Sequence, residues 1–271
     1  MTGRQPVATD ETLSLAAHLP EGVRCLGVLS GKGGVGKSLV TALLAVAFAR
    51  KAHSVGILDA DLTGPSIPRM FGVRRAEAAI GERLAPARTS HLGIRIMSLN
   101  LLMEREDDPV IWRGPLVAKT VEQFVTDVDW DGVRYLFVDL PPGTSDVPLT
   151  VMQRLPLNGL IVVYSPQDLV GMIVRKAIRM AALLKTPVVG LIENMAHLVC
   201  PHCGERIDLF GAGEKPNAAG TSGLPVLASL ALDPKLSALC DTGEIETYED
   251  SPLDDLVHAV ASALEAQGAR A

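Results

Sequence analysis

The sequence predicts an α/β chain built on an open, mostly parallel twisted sheet with helices on both faces. Three observations predict it. Seven short apolar runs are spaced along the 271 residues. Longer segments with helical periodicity separate them, and the first run leads through a glycine-rich loop directly into a helical pattern. Runs without polar alternation fit strands buried between two helical layers.

The first strand is RCLGVLS (24–30), and a helix follows over 37–51. SVGILD (54–59) and IRIMSL (94–99) come next, then a helix over 115–128 and the strand RYLFVDL (134–140). GLIVVYS (159–165), a helix over 168–185, PVVGLIE (187–193) and LPVLASL (224–230) complete the alternation. In the 115–128 helix, Leu116, Val117, Val121, Phe124, Val125 and Val128 recur at steps of three and four, which predicts one apolar face. The last helix opens at Ser251-Pro252-Leu253-Asp254 and runs to about Gln267, before Gly268. There serine can cap, proline suits the first turn, and Asp254 and Asp255 oppose the helix dipole. Residues 74–92 and 200–223 read as surface excursions. With no repeat, low-complexity tract or Pro/Ser-rich linker, one domain over 23–271 is expected, after an N-terminal extension over 1–22. Right-handed crossovers would align the loops after each strand along one edge, where such sheets bind ligands.

Composition narrows the function classes. Hydrophobic residues make up 48% and charged residues 21%, which suits a folded globular chain and not a disordered one. A net charge of −6 provides no basic field to gather nucleic acid, so none is expected as a partner. The first twenty residues lack an apolar h-region, and no later stretch approaches the ~18 apolar residues of a membrane span. Neither export nor a membrane partner is expected. Four cysteines, Cys25, Cys200, Cys203 and Cys240, are too few for a disulfide scaffold and fit a reducing, cytoplasmic setting. Cys25 and Cys240 lie in apolar surroundings and read as small buried hydrophobes.

Gly31-Lys32-Gly33-Gly34-Val35-Gly36-Lys37-Ser38 satisfies G-x-x-x-x-G-K-[ST] in the strand-to-helix context that phosphate binding needs. Glycines let backbone N–H groups converge on phosphate oxygens, and the helix N-terminus adds partial positive charge. Lys37 can reach the β/γ-phosphates of ATP, and the Ser38 hydroxyl can ligate Mg²⁺. Asp59 and Asp61 end one strand and Asp139 ends another, so three carboxylates could face the same edge. Just past a strand end, the Asn194 amide offers both a donor and an acceptor to adenine, and Asp233 to Lys235 either borders the base or starts a helix. Phosphate binding needs one lysine, and Lys32 is a second.

GKGGVGKS resembles the deviant Walker A loop of the MinD/NifH/ParA group of P-loop ATPases, whose members act as nucleotide-sandwich dimers. That resemblance implies that Lys32 crosses to the nucleotide of a facing subunit while Lys37 acts in its own, so hydrolysis waits for assembly. It implies that Gly31, Gly33, Gly34, Val35, Gly36 and Leu39 line the phosphates. It further makes Asp139 the Walker B acid, with Asp59 near the magnesium waters, Asp61 orienting the attacking water and Asn194 pairing with adenine. Pro141-Pro142-Gly143-Thr144 would begin the second switch.

Within that group, DADLTGPSIPRM, VIWRGPL, DLPPGTSDVPLT, SPQDLV and ENMAHLVCPHCGE are most similar to the Mrp/ApbC family, which binds and transfers iron–sulfur clusters. The likeness covers roughly residues 22–255. Leu39 departs from the threonine common after the Walker serine, and the N-terminal cysteine cluster of some relatives is absent.

Cys200-Pro201-His202-Cys203 supplies two thiolates at the spacing of one metal centre, on a loop near 196–215. Two ligands are half a site, and a C₂ homodimer would double them to the four that a [4Fe-4S] cluster takes. Structural Zn²⁺ in the same arrangement, thiol–disulfide chemistry and idle cysteines remain open readings. The resemblance implies the bridging cluster, with scaffold proteins and apo iron–sulfur proteins as partners. A MinD-like positioning ATPase and a NifH-like electron carrier are the competing functions. The acidic residues of the last helix disfavour the first, and the CPHC spacing the second.

Overall fold

The computed structural model describes residues 15–61, 64, 66–75, 83–103, 114–166, 170–200, 202–209, 222–249 and 252–268. In order, the strands are β1 (Arg24–Ser30), β2 (Val55–Asp59), β3 (Ala87–Arg88), β4 (Arg95–Ser98), β5 (Tyr135–Asp139), β6 (Gly159–Tyr164), β7 (Val188–Glu193), β8 (Leu198–Val199), β9 (Arg206–Ile207) and β10 (Val226–Ser229). The helices are α1 (Lys37–Arg50), α2 (Ile67–Met70), α3 (Gly114–Thr126), α4 (Asp146–Arg154), α5 (Val170–Leu183), α6 (Pro234–Thr242) and α7 (Pro252–Gly268).

Eight strands form one sheet in the order β10-β7-β6-β1-β5-β2-β4-β3, and β8 pairs with β9 in a separate hairpin. Every pairing in the large sheet is parallel except β3 with β4. Each strand of the parallel core is apolar on both faces because each face is covered. On one side α1, α6 and α7 pack over Leu26, Val28, Ile57, Phe137, Ile161 and Ile192. On the other, α3, α4 and α5 cover Leu29, Leu58, Leu136, Val138, Val162 and Leu191. Alternation along each strand decides which core a side chain joins.

α1 is buried nearly all round, with Val40 to Phe48 out of solvent, because the sheet lies under it and α7 over it. α7 spends Leu253, Leu256, Val257, Val260 and Leu264 on that packing. In α3, Val117, Val121, Phe124 and Val125 are buried as the spacing predicts, and Val128 is buried just beyond the helix end. Leu116 is the exception: it lies one step of ~100° off that line and is exposed.

Of two stretches expected on the surface, one is partly interior and the described part of the other lies outside the core. Within 74–92, Ala85, Ala87 and Thr89 are buried and β3 adds an edge strand, while residues 76–82 lie outside the described residues. Of 200–223, the stretch 202–209 is an exposed hairpin arm, whereas 201 and 210–221 lie outside the described residues, as does the Ser251 cap. Leu15 and Leu19 are buried, so the last residues before β1 dock on the domain. Cys25 is fully buried, and Cys240 is only half-buried.

Candidate functional site

β1 lies between β5 and β6, so the loop that follows it opens at the middle of the sheet's carboxyl edge. Gly34 and Gly36 take φ of 81° and 80°, the left-handed region that a side chain resists. Gly36 has a second constraint, since a Cβ there would collide with Nδ2 of Asn194. The Val40 amide donates to the Gly36 carbonyl at 3.0 Å, which starts α1 directly behind the loop.

Register brings the acids together. Asp59 of β2 lies beside Asp139 of β5, and Ser98 of β4 lies beside Asp59. All three side chains are fully buried. Lys37 Nζ sits 2.8 Å from Asp139 Oδ1 and 3.5 Å from Asp61 Oδ2. The Ser38 hydroxyl donates to Asp139 Oδ2 at 2.5 Å. Thr41, one turn further along α1 and fully buried, places its hydroxyl 2.8 Å from Asp139 Oδ1 and 3.0 Å from the Lys37 carbonyl. Asp59 accepts from the Asp61 amide at 3.2 Å, the Ile67 amide at 3.4 Å and the Ser98 hydroxyl at 3.3 Å. Burial, and then the neighbouring Asp139 charge, push the Asp59 carboxyl up to about 8, against the opposing pull of Lys37. These are hard oxygen donors grouped around one hydroxyl, a set that suits Mg²⁺.

Lys32 is half-buried beside this cluster, and its carbonyl accepts from the Ser30 hydroxyl at 3.0 Å. Gly33 is exposed and Leu39 half-buried on the first turn of α1. Asn194 is 2% exposed and turned toward the loop: its Nδ2 donates to the Val35 carbonyl at 2.9 Å, and its amide donates to the Tyr164 carbonyl at 2.7 Å. Asp233 instead caps α6, accepting from the Lys235 amide at 2.8 Å, so the helix-start reading of that segment holds.

The thiols come from the same edge. After Asn194 the chain turns through Met195 at φ 57°, and hydrogen bonds from Ala196 to Leu230 and from Leu232 to His197 anchor it beside the segment after β10. β8 and β9 then form a two-stranded hairpin, with Cys200 half-buried and Cys203 exposed at its tip. The Cys200 amide donates to the Glu205 carbonyl, and the Gly204 amide to the Cys200 carbonyl, each at 2.9 Å. Backbone N–H groups of Cys203 and His202, with a side-chain hydrogen bond from Cys203, hold the Cys200 thiol below its ordinary pKa. Among the described residues no group of three or more His, Cys, Asp or Glu side chains is placed to hold a metal, so at this hairpin the described residues bring a cysteine pair.

Sequence reasoning named every residue of this cluster except Thr41 and Ser98. Thr41 stands in an otherwise apolar run, where a β-branched residue reads as core; its one signal is the four-residue step from Lys37, which puts both on one helix face.

A glycine-rich loop leading from a central parallel strand into a buried helix, with an invading lysine and a row of carboxylates, defines a P-loop ATPase. The chain belongs to the family described as NUBPL iron-transfer P-loop NTPases, whose model matches residues 23–265. It is 45% identical over 241 residues to an iron-sulfur cluster carrier protein of Clostridium perfringens, covering 86% of this chain and 84% of that one. It is 40% identical over 236 residues to the cytosolic Fe-S cluster assembly factor cfd1 of Neurospora crassa, covering 82% and 78%. Among solved structures, a nucleotide-binding protein of Archaeoglobus fulgidus in complex with ADP is 43% identical with a TM-score of 0.77, over 90% of this chain and 95% of that one. The cell division ATPase MinD of Pyrococcus furiosus superposes with a TM-score of 0.63 at 19% identity over 90% and 99%, a likeness of fold alone.

Proposed function

We propose that this chain is an ATP-hydrolysing iron–sulfur cluster carrier that works as a homodimer, holds a [4Fe-4S] cluster between Cys200 and Cys203 of two copies, and hands it to apo-proteins. The observation that carries the proposal is the thiol pair at the tip of a hairpin rooted beside the phosphate loop. One copy offers two sulfurs and the cluster takes four, so two copies complete a site that neither has alone. Exposed apolar side chains support pairing on this side: Leu102 and Leu116 come after β4, Met172 after β6, and Val199, Ile207 and Leu209 lie on the hairpin after β7.

In this reading the backbone from Gly31 to Leu39 cradles the phosphates, and Lys37 leaves Asp139 for the β/γ-phosphates. Mg²⁺, when bound, would neutralise charge developing on the transferred phosphoryl. Ser38 would hold it, with Asp139 and Asp59 one water away. Asp61 orients the attacking water, and Lys32 reaches the nucleotide of the partner chain. Asn194 borders the adenine while bracing the loop through Val35.

Anaerobic purification with iron, sulfide and zinc analysis, run beside the mass of the protein in solution, tests the proposal. The expected result is about four iron and four sulfide per dimer, with loss of the visible thiolate-to-iron absorption in Cys200→Ser and Cys203→Ser. Zinc without sulfide, or full absorption in either variant, overturns it. The MinD-like alternative has less support, because α7 buries its apolar face against α1 and carries Asp254 and Asp255 in its first turn. No described helix is long and apolar enough to cross a membrane.

A further inference from the structure

Asp139 Oδ1 takes two partners, Lys37 Nζ and the Thr41 hydroxyl, each at 2.8 Å, while Oδ2 takes the Ser38 hydroxyl at 2.5 Å. The Oδ1 side is out of solvent, since Asp139 and Thr41 are fully buried and Lys37 is 5% exposed, while Ser38 is half-buried. Thr41 has one proton to give. Its other neighbour, the Lys37 carbonyl, is the ordinary acceptor for the Thr41 backbone N–H in the helix ladder. The carboxylate is the charged and nearer acceptor, so the hydroxyl proton belongs to Asp139.

Phosphate binding redistributes these bonds. Lys37 is the group that turns to the β/γ-phosphates, and when it does Oδ1 keeps a single partner. A serine whose oxygen faces a cation still needs an acceptor for its own proton, and Oδ2 is that acceptor. If the carboxylate rotates, Ser38 loses its orientation. We infer that Thr41 is a positioning residue of the nucleotide site: its hydroxyl holds Asp139 in place after Lys37 departs, and so keeps Ser38 aimed at the divalent cation. In this role Thr41, fully buried, acts through Asp139. The inference rests on reading Ser38 and Asp139 as the cation side of the site, and it assigns to the interior of α1 a role that the loop motif does not contain.

The test uses Mn²⁺ as probe, followed by the electron paramagnetic resonance signal of the free ion, with the full-length chain and saturating ADP. Thr41→Val keeps the shape and removes the hydroxyl; it is expected to weaken Mn²⁺ about 10-fold or more, the effect of losing one hydrogen bond to a charged group. Thr41→Ser restores the hydroxyl and is expected to bind Mn²⁺ close to the parent value, which a purely packing role for the threonine methyl would not produce. Thr41→Ala serves if the valine variant does not fold, since alanine keeps the helix. Parent-like Mn²⁺ affinity in the folded valine or alanine variant overturns the inference, and so does weakening in Thr41→Ser equal to that in Thr41→Val. Ser38→Ala and Asp139→Asn separate the two levels. If both bind Mn²⁺ as the parent does, the reading of the cation site is wrong; if both weaken and Thr41→Val does not, only the role of Thr41 falls.

Discussion

At the scale of single residues, the site is set by close approaches that leave no room for substitution. Gly36 combines a φ of 80° with backbone pressed against the Asn194 amide. Gly36→Ala would both strain the loop and displace Asn194 from Val35, so ADP affinity should fall at least ~10-fold, measured by titration calorimetry on a variant whose melting shows it folded. Asp59 makes a second case. Its carboxyl is raised to about 8 in the folded chain without ligands, against roughly 4 in an unfolded one. The folded chain therefore keeps a proton there that the unfolded chain has released. That contribution is complete below about pH 4 and is lost as pH rises toward the folded value. In metal-free, nucleotide-free buffer the melting temperature should fall between pH 5 and 8, and Asp59→Asn, which imitates the protonated acid, should flatten the fall. An unchanged slope in that variant would contradict the assignment.

Secondary-structure elements are joined at this edge and at the opposite one by buried polar ties. Glu246, 5% exposed in a 3₁₀ turn over Ile245–Thr247, accepts from the Thr89 hydroxyl at 2.5 Å and from the His91 and Leu92 amides at 3.1 Å. Arg50, at the end of α1, donates to its carbonyl at 2.7 Å. One carboxylate thus fixes the turn between β3 and β4 to the segment before α7. Glu246→Ala would orphan three donors and should cost about 3 kcal/mol in urea unfolding, with little change in ADP affinity because the phosphate loop is untouched. No pattern in the sequence announces this tie, which joins residues more than 150 positions apart. What could be read was local. The apolar runs gave seven strands within two residues of their ends, because strands covered on both faces stay apolar up to the polar residues at their ends. β3, β8 and β9 escaped because two-residue strands have no period to detect. The loop, the three aspartates and the cysteine pair were legible because their chemistry lies in residue type and spacing. Thr41 and the bond from Asn194 to Val35 were not, since both depend on which side chains the register brings face to face.

For the whole molecule, the proposed pairing makes a prediction that no single chain can satisfy. If Lys32 serves the partner's nucleotide and Asp61 its own, Lys32→Ala and Asp61→Asn are each inactive alone. Mixed in equal amounts they should recover about a quarter of the parent ATPase rate, since half of the dimers are mixed and each has one intact site. No recovery, under conditions where subunits exchange, would place Lys32 in its own site. Two cores back this edge, one on each face of the sheet, so the loop, the carboxylates and the root of the hairpin are anchored on one packed layer. The ammonium of Lys37, lying between Asp139 and Asp61, gives the cleft its own counter-ion. A bare polyphosphate would have to draw that cation away and then lie beside the carboxylates it had stripped. A polyphosphate arriving already complexed brings a replacement with it, so the cleft favours the electrically balanced form of its ligand before any contact with the base is made.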